Sequence, residues 1–166
     1  DDGFKMKWLV VQTKVNCEHR AQSNLARQGY LCFLPKILKV STKFNRLKKI
    51  TKPLFPGYIF VNLRSKQSWS KIDYTFGVRK IMKINEKLCY IPNSIFNEIK
   101  NKCDSNGFFD VFKTLKSGDD IKFIKSNNFV FDAEFLELID AKRSFVLLDI
   151  LKRKIKVKIN NYQILF

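Results

Sequence analysis

The hydrophobic positions of this chain change period from segment to segment, and the changes mark its elements. Residues 7–13, KWLVVQT, are a short β-branched apolar run that suits an inner strand. NCEHRAQSNLARQGY follows with Cys17, Ala21, Leu25 and Gln28 at helical spacing, Asn16 placed to cap and Gly29 placed to end the helix. Residues 30–40 resume as strand, and STKFNRLKKITK reads as a basic hairpin with Asn45 near its tip. From Tyr58 the chain alternates again, but both sides are apolar: Tyr58 and Phe60 point one way, Ile59, Val61 and Leu63 the other. A strand covered on both faces belongs in a buried sheet, whereas one with a bare aromatic face marks a docking surface. The expectation is that Ile59, Val61 and Leu63 enter the core and that Tyr58 and Phe60 are left for a partner.

Further on, a short helix holding Trp69 and Ile72, a turn at Gly77, a strand from Val78 to Ile84 and a helix over IPNSIFNEIKNKC complete an α+β domain. Residues 101–114 are turn-rich around Asn106 and Gly107 and are expected to be a linker. From Leu115 the runs DDIKFIK, DAEFLELI, SFVLLDI and KIKVKI are short and strand-like. In the last, Lys154, Lys156 and Lys158 face away from Ile155, Val157 and Ile159. Short antiparallel strands over the final fifty or so residues predict a small closed barrel, because closure removes exposed edges. The same tail lacks Gly and Pro over residues 131–154 and is rich in Leu, Glu, Lys and Ala, so local propensity also allows a helical hairpin there.

Composition adds a partner. Hydrophobic residues make up 45% of the chain, enough for a folded core, and 32 Lys and Arg against 15 Asp and Glu leave a net charge of +17. A polyanion is the economical inference. Nucleic acid or a ribonucleoprotein is favoured over a membrane, since no segment approaches roughly 18 uninterrupted apolar residues and no signal-peptide pattern opens the chain. Two places concentrate the charge. Arg20, Asn24 and Arg27 share a helix face that Lys14 extends, and Lys43, Arg46, Lys48, Lys49 and Lys52 crowd the hairpin.

Cys17, Cys32, Cys89 and Cys103 are scattered without CxxC spacing, and His19 is the single histidine, so neither zinc nor another cofactor is expected. Reduced, mostly buried thiols in a cytoplasmic protein are the simplest reading. The opening DDGFK is left outside the predicted fold. No Ser–His or carboxylate set, P-loop or GxGxxG is present, so a binding module is the stronger class than an enzyme.

In order and spacing, KWLVVQTKVNCEHRAQSNLARQGYLCFLPK, PLFPGYIFVNL, TFGVRKIMKI and IPNSIFNEI resemble the N-terminal (NGN) domain of NusG-type transcription elongation factors. The tail from LKSGDDIKFI resembles their C-terminal KOW domain. In length and wording the chain is most similar to the specialised RfaH-like paralogs. The resemblance implies an NGN-like domain over 6–100, a linker over 101–114 and a KOW-like β-barrel over 115–166, with a helical hairpin packed on the first domain as the alternative. It implies a cytoplasmic, monomeric transcription elongation and antitermination factor that binds bacterial RNA polymerase, with no membrane partner. The matching polymerase-binding residues are Phe33, Tyr58, Phe60, Ile84 and Phe96 for the clamp, with Ser68, Trp69 and Ser70 approaching the opposite jaw. Those matching the contact to non-template DNA are Lys14, Asn24, Arg27, Gln28, Lys71, Asp73, Thr75 and Phe76, with Arg20 on the same face. Here Asn24 replaces a histidine and Phe76 an arginine. Phe129, Phe131 and Ile150 match the KOW surface for a ribosomal small-subunit protein or Rho.

RfaH-like proteins pin the helical form partly by an ion pair, whose matching positions here are Lys52 and Arg143. Two cations cannot make it, which favours the barrel. Glycines expected around Phe129 are replaced by Asn127, Asn128 and Asp132, and Asn tolerates a left-handed turn. A KOW-containing RNA-binding or ribosome-associated protein is the alternative that fits the charge.

Overall fold

A computed structural model describes residues 6–43, 46–64, 66–125 and 129–165, and only the backbone of 40–43, 46 and 47. The chain divides into two compact units, residues 1–37 with 52–109, and 38–51 with 110–166.

In the first unit the elements run β1 (Trp8–Thr13), α1 (Glu18–Arg27), β2 (Leu31–Phe33), β3 (Lys36–Lys43), β4 (Arg46–Pro53), β5 (Tyr58–Asn62), α2 (Ser70–Asp73), β6 (Val78–Ile81), β7 (Lys83–Ile84), β8 (Lys87–Leu88), β9 (Tyr90–Ile91) and α3 (Asn93–Asn101). β3 and β4 pair as a hairpin whose outer part, 38–51, groups with the second unit. The predicted tip at Asn45 lies outside the described residues.

The first sheet has the order β2-β5-β1-β6, with β9 also on β1. Its register sets Leu9 opposite Val61 and Val11 opposite Ile59, which puts these four on one face. Ala21 and Leu25 of α1 and Ile72 of α2 cover that face and close the main core. Val10 opposite Phe60, and Phe33 opposite Phe60, define the other face. There Trp8, Phe60 and Phe96 of α3 form a second buried cluster, flanked by Val10, Phe33 and Ile91. β5 is apolar on both sides because its sheet is a middle layer between helices.

Some local details depart from expectation. α1 starts at Glu18, with Cys17 as its N-cap, and Asn16 takes a left-handed φ of 55° instead of capping. The buried Glu18 carboxylate accepts from the Gly57 N–H at 2.9 Å, fastening the helix start to the turn before β5. The strand expected over 78–84 breaks at Met82, and β7 and β8 form a separate small hairpin. Its turn residues Asn85 and Glu86 both have positive φ, the twist a two-residue hairpin needs. The predicted linker 101–114 is folded in part. Lys36 bridges Phe108, Cys103 bridges Phe109, and Asp104 Oδ1 accepts from the N–H groups of Asn106 and Phe108.

The second unit contains β10 (Asp120–Ile124), β11 (Val130–Asp140), β12 (Arg143–Ile150), β13 (Arg153–Asn160) and β14 (Ile164–Leu165) in the order β13-β12-β11-β10-β14. This is the β form expected of a KOW-like domain. Among the described residues no helical hairpin occurs in this unit, so the helical alternative is set aside. The KIKVKI alternation decides the matter locally. Val157 faces Val146 across the ladder, and Ile159 sits in a core with Phe123, Phe135, Val146 and Ile164. The lysines go to the other face, where Lys154 reaches Glu134 at 2.7 Å and Lys156 reaches Glu137 at 3.3 Å. Ser144, fully buried, donates to Asn161 Oδ1 at 2.5 Å and so ties β12 to the turn before β14. Asn127 and Asn128 lie outside the described residues.

Candidate functional site

The aromatic face of the first sheet is built by stacking. Phe96 lies on Trp8 with ring centroids 4.3 Å apart and nearly parallel planes, and meets Phe33 edge-on at 5.1 Å. Phe33 in turn stacks on Phe60 at 6.4 Å, and Phe55 meets Phe60 edge-on at 5.8 Å. The expectation that Phe60 is left open is corrected: at 5% exposure it is covered, as is Phe96 at 4%. α3 supplies the cover, because a two-sided apolar strand needs a second layer. What the face presents outward is its margin, with Tyr58 and Phe33 half-buried and Phe55 37% exposed. Ile84 is brought elsewhere, onto the β7–β8 hairpin, where it is 64% exposed.

Beside that hairpin stands the loop Ser68–Ser70. The Tyr30 hydroxyl donates to the Ser68 carbonyl at 2.6 Å, and the Ser68 and Ser70 hydroxyls share a hydrogen bond of 2.6 Å. Lys83 Nζ lies 4.5 Å from the centre of the Trp69 ring, a cation–π contact linking the loop to β7. The three loop residues and Ile84 are all exposed.

A second surface joins α1, α2 and the segment that follows α2. Gln28 Nε2 donates to Thr75 Oγ1 at 2.9 Å and to the Asn24 carbonyl at 3.3 Å, and Thr75 Oγ1 donates to the Lys71 carbonyl at 3.0 Å. Asn24 Nδ2 donates to the Phe76 carbonyl at 3.0 Å. The Phe76 ring is 62% exposed, with Lys14 Nζ 5.8 Å and the Arg20 guanidinium 5.3 Å from its centre. Arg27 and Lys71 are exposed on the same two helices. This arrangement depends on Gly77: its φ is +96°, and a Cβ there would stand 2.9 Å from the Ala21 backbone nitrogen. Asp73 is used structurally, its Oδ1 accepting from the Ile81 N–H at 2.6 Å. Tyr74, which the sequence reading passed over, is 91% exposed next to this patch. Its signal was an aromatic residue beside a basic helix face.

In the second unit Phe129 and Ile150 are 66% and 45% exposed, while Phe131 is half-buried and stacks on Phe123 at 5.4 Å. Arg143 is taken up within its own turn, its guanidinium bonding Asp140 Oδ2. That contact holds the Asp140 carboxyl below the usual carboxylate range. Lys52 is exposed. Burial pushes the half-buried Cys32 thiol up to about 12. Among the described residues no group of three His, Cys, Asp or Glu could hold a metal, and no helix is long and apolar enough to cross a membrane.

A family model described as transcription termination factor nusG matches residues 6–100. The transcription termination/antitermination protein NusG of Staphylococcus carnosus is 33% identical over 82 residues, a match covering 43% of this chain and 45% of that protein. Its counterpart from Staphylococcus epidermidis is 32% identical over 82 residues with the same coverage. The match thus spans less than half the length of these relatives. A solved structure described as domain interaction in Thermotoga maritima NusG aligns over 97% of each chain at 16% identity, with a TM-score of 0.37.

Proposed function

The chain belongs to the NusG family, and from that premise we propose that it is a transcription elongation and antitermination factor acting on bacterial RNA polymerase. The observation that carries the reading is that the family match falls on the unit holding both candidate surfaces. The margin of the aromatic face, with Tyr58 and Phe33 over the buried Phe60 and Phe96, would meet the polymerase clamp together with Ile84. The exposed loop Ser68–Ser70 would approach the opposite jaw. Spanning the cleft in this way works by mechanics rather than catalysis: binding energy at two points resists the opening that accompanies pausing. A few exposed aromatic and aliphatic side chains suffice for such docking, since a handful of residues carries most of an interface's energy. Lys14, Arg20, Arg27, Lys71 and Phe76 would contact the non-template strand. The second unit would recruit a ribosomal small-subunit protein or Rho through Phe129, Phe131 and Ile150.

The test is binding of the full chain to purified core RNA polymerase. Tyr58→Ala combined with Ile84→Asp changes exposed or half-buried groups and should weaken binding about tenfold or more, with the circular dichroism spectrum unchanged. Polymerase binding equal to that of the unaltered chain would refute the docking assignment.

A further inference from the structure

The second unit holds a cavity of about 330 Å3, lined by residues of β3 and β4, of the β11–β12 turn and of the turn before β14. Leu38, Phe112 and Ile164 give it apolar walls, and the Tyr162 ring, 45% exposed, adds an aromatic face. The turn that carries Tyr162 is held fast. The Asn161 N–H donates to the Lys142 carbonyl at 2.7 Å, the Asn161 side chain is buried against Ser144, and Gln163 Nε2 donates to the Ile124 carbonyl at 3.1 Å. Lys39, Lys49 and Lys142 also line the cavity, and no acidic residue does. Among the described residues none of these three ammonium groups forms an ion pair, and Lys49 Nζ lies 5.5 Å from the centre of the Tyr162 ring. Asp140, the acid next to this turn in sequence, is taken up by the Arg143 guanidinium and the Lys142 N–H. The Tyr162 hydroxyl accepts from Asn160 Nδ2 at 3.2 Å, which leaves its own proton to donate.

We propose that this cavity binds a free nucleoside polyphosphate, its base against Tyr162 and the apolar walls and its phosphates on Lys39, Lys49 and Lys142. The volume is that of a small-molecule site, so it admits one small molecule or one monomer of a polymer. Apolar walls with an aromatic face suit a flat, weakly polar body such as a base. Lysine ammonium groups are compact charges that bind phosphate without demanding one geometry. The number of charges decides between a free nucleotide and a strand. A nucleotide within a strand carries a single negative charge, whereas three amines with no carboxylate among them match the several charges of a polyphosphate. The site shares no residue with the surfaces proposed above, so it stands or falls independently of the polymerase reading.

Isothermal titration calorimetry of the full chain in physiological salt tests this with adenosine triphosphate and guanosine triphosphate, against adenosine, inorganic triphosphate and a short single-stranded RNA. At least one nucleoside triphosphate should bind at a single site, with adenosine and inorganic triphosphate each about tenfold weaker or silent. Tyr162→Ala should weaken the nucleotide about tenfold by removing the stacking face. Lys49→Gln combined with Lys142→Gln alters two exposed residues and should weaken it about tenfold or more. Lys152→Gln combined with Lys158→Gln removes the same charge from exposed positions outside the cavity and should leave affinity within about twofold. Inorganic triphosphate binding as tightly as the nucleotides, or equal losses in the two lysine pairs, would reduce the effect to bulk charge and overturn the proposal. RNA that binds through Lys49 and Lys142 while neither nucleoside triphosphate does would overturn it in favour of a strand. Absence of binding by both nucleoside triphosphates would overturn it and leave the polymerase reading untouched.

Discussion

Phe96→Ala should release α3 from the sheet. This helix has nine residues and Phe96 is its one buried side chain, so nothing else anchors it deeply. A helix of that length is not stable alone in water. Burying a phenylalanine contributes about 1.5–3 kcal/mol, and an aromatic pair adds about 0.5–1.5 kcal/mol beyond the area term. Phe96 has two such partners, Trp8 at 4.3 Å and Phe33 at 5.1 Å. With the cavity included, the expected loss is about 3–5 kcal/mol, concentrated in local opening of α3 rather than spread over the unit. Native-state hydrogen exchange checks this through the Phe96 and Lys102 amides, which bond to the Pro92 and Glu98 carbonyls. Their protection should fall roughly a hundredfold or more, since about 1.4 kcal/mol is tenfold. In a Trp69→Phe background, Trp8 emission should shift as its stacking partner is lost. Protection reduced by less than about tenfold, with Trp8 emission unchanged, would refute the claim that this one ring holds the layer in place.

Gly77→Ala should cost more than about 1 kcal/mol in urea unfolding and disturb the Asn24 to Phe76 contact, because φ is +96° and the new Cβ meets the Ala21 backbone. Ser144→Ala leaves the Asn161 oxygen without its partner in a buried position and should destabilise the second unit by about 1–3 kcal/mol, read by thermal unfolding. At pH 8 the Cys32 thiol, held near 12, should stay unmodified by iodoacetamide in the folded chain and react once the chain is unfolded, as peptide mapping would show.

Period-two alternation was enough to assign faces in both sheets: Ile59 and Val61 lie in the core of the first unit as expected, and the lysines of KIKVKI lie on the outer face of the second unit's sheet. Alternation says which residues share a face but not what covers that face. Phe60 could therefore be set apart from Ile59 and Val61 from sequence, while its burial against Phe96 of α3 could not be foreseen. The tail's helix-compatible composition was overridden by cross-strand partners distant in sequence, such as Val146 with Val157. Residues 101–109 of the predicted linker 101–114 looked like a linker because their order comes from two single bridges, Lys36 to Phe108 and Cys103 to Phe109, and from Asp104 turn bonds, which leave no periodic signature. Of the basic and aromatic patch on α1 and α2, the charges were legible. The commitment of Thr75 and Gln28 to each other was not, since they are 47 positions apart.

The central claim is that this chain engages RNA polymerase and alters elongation. Single-round transcription by purified core polymerase on a template with a strong pause, with and without the full chain, tests it most directly. Pause lifetime should shorten with the unaltered chain and return to the polymerase-alone value with Tyr58→Ala and Ile84→Asp combined. Pause lifetimes identical with and without the chain, at concentrations well above any measured binding constant, would contradict the account.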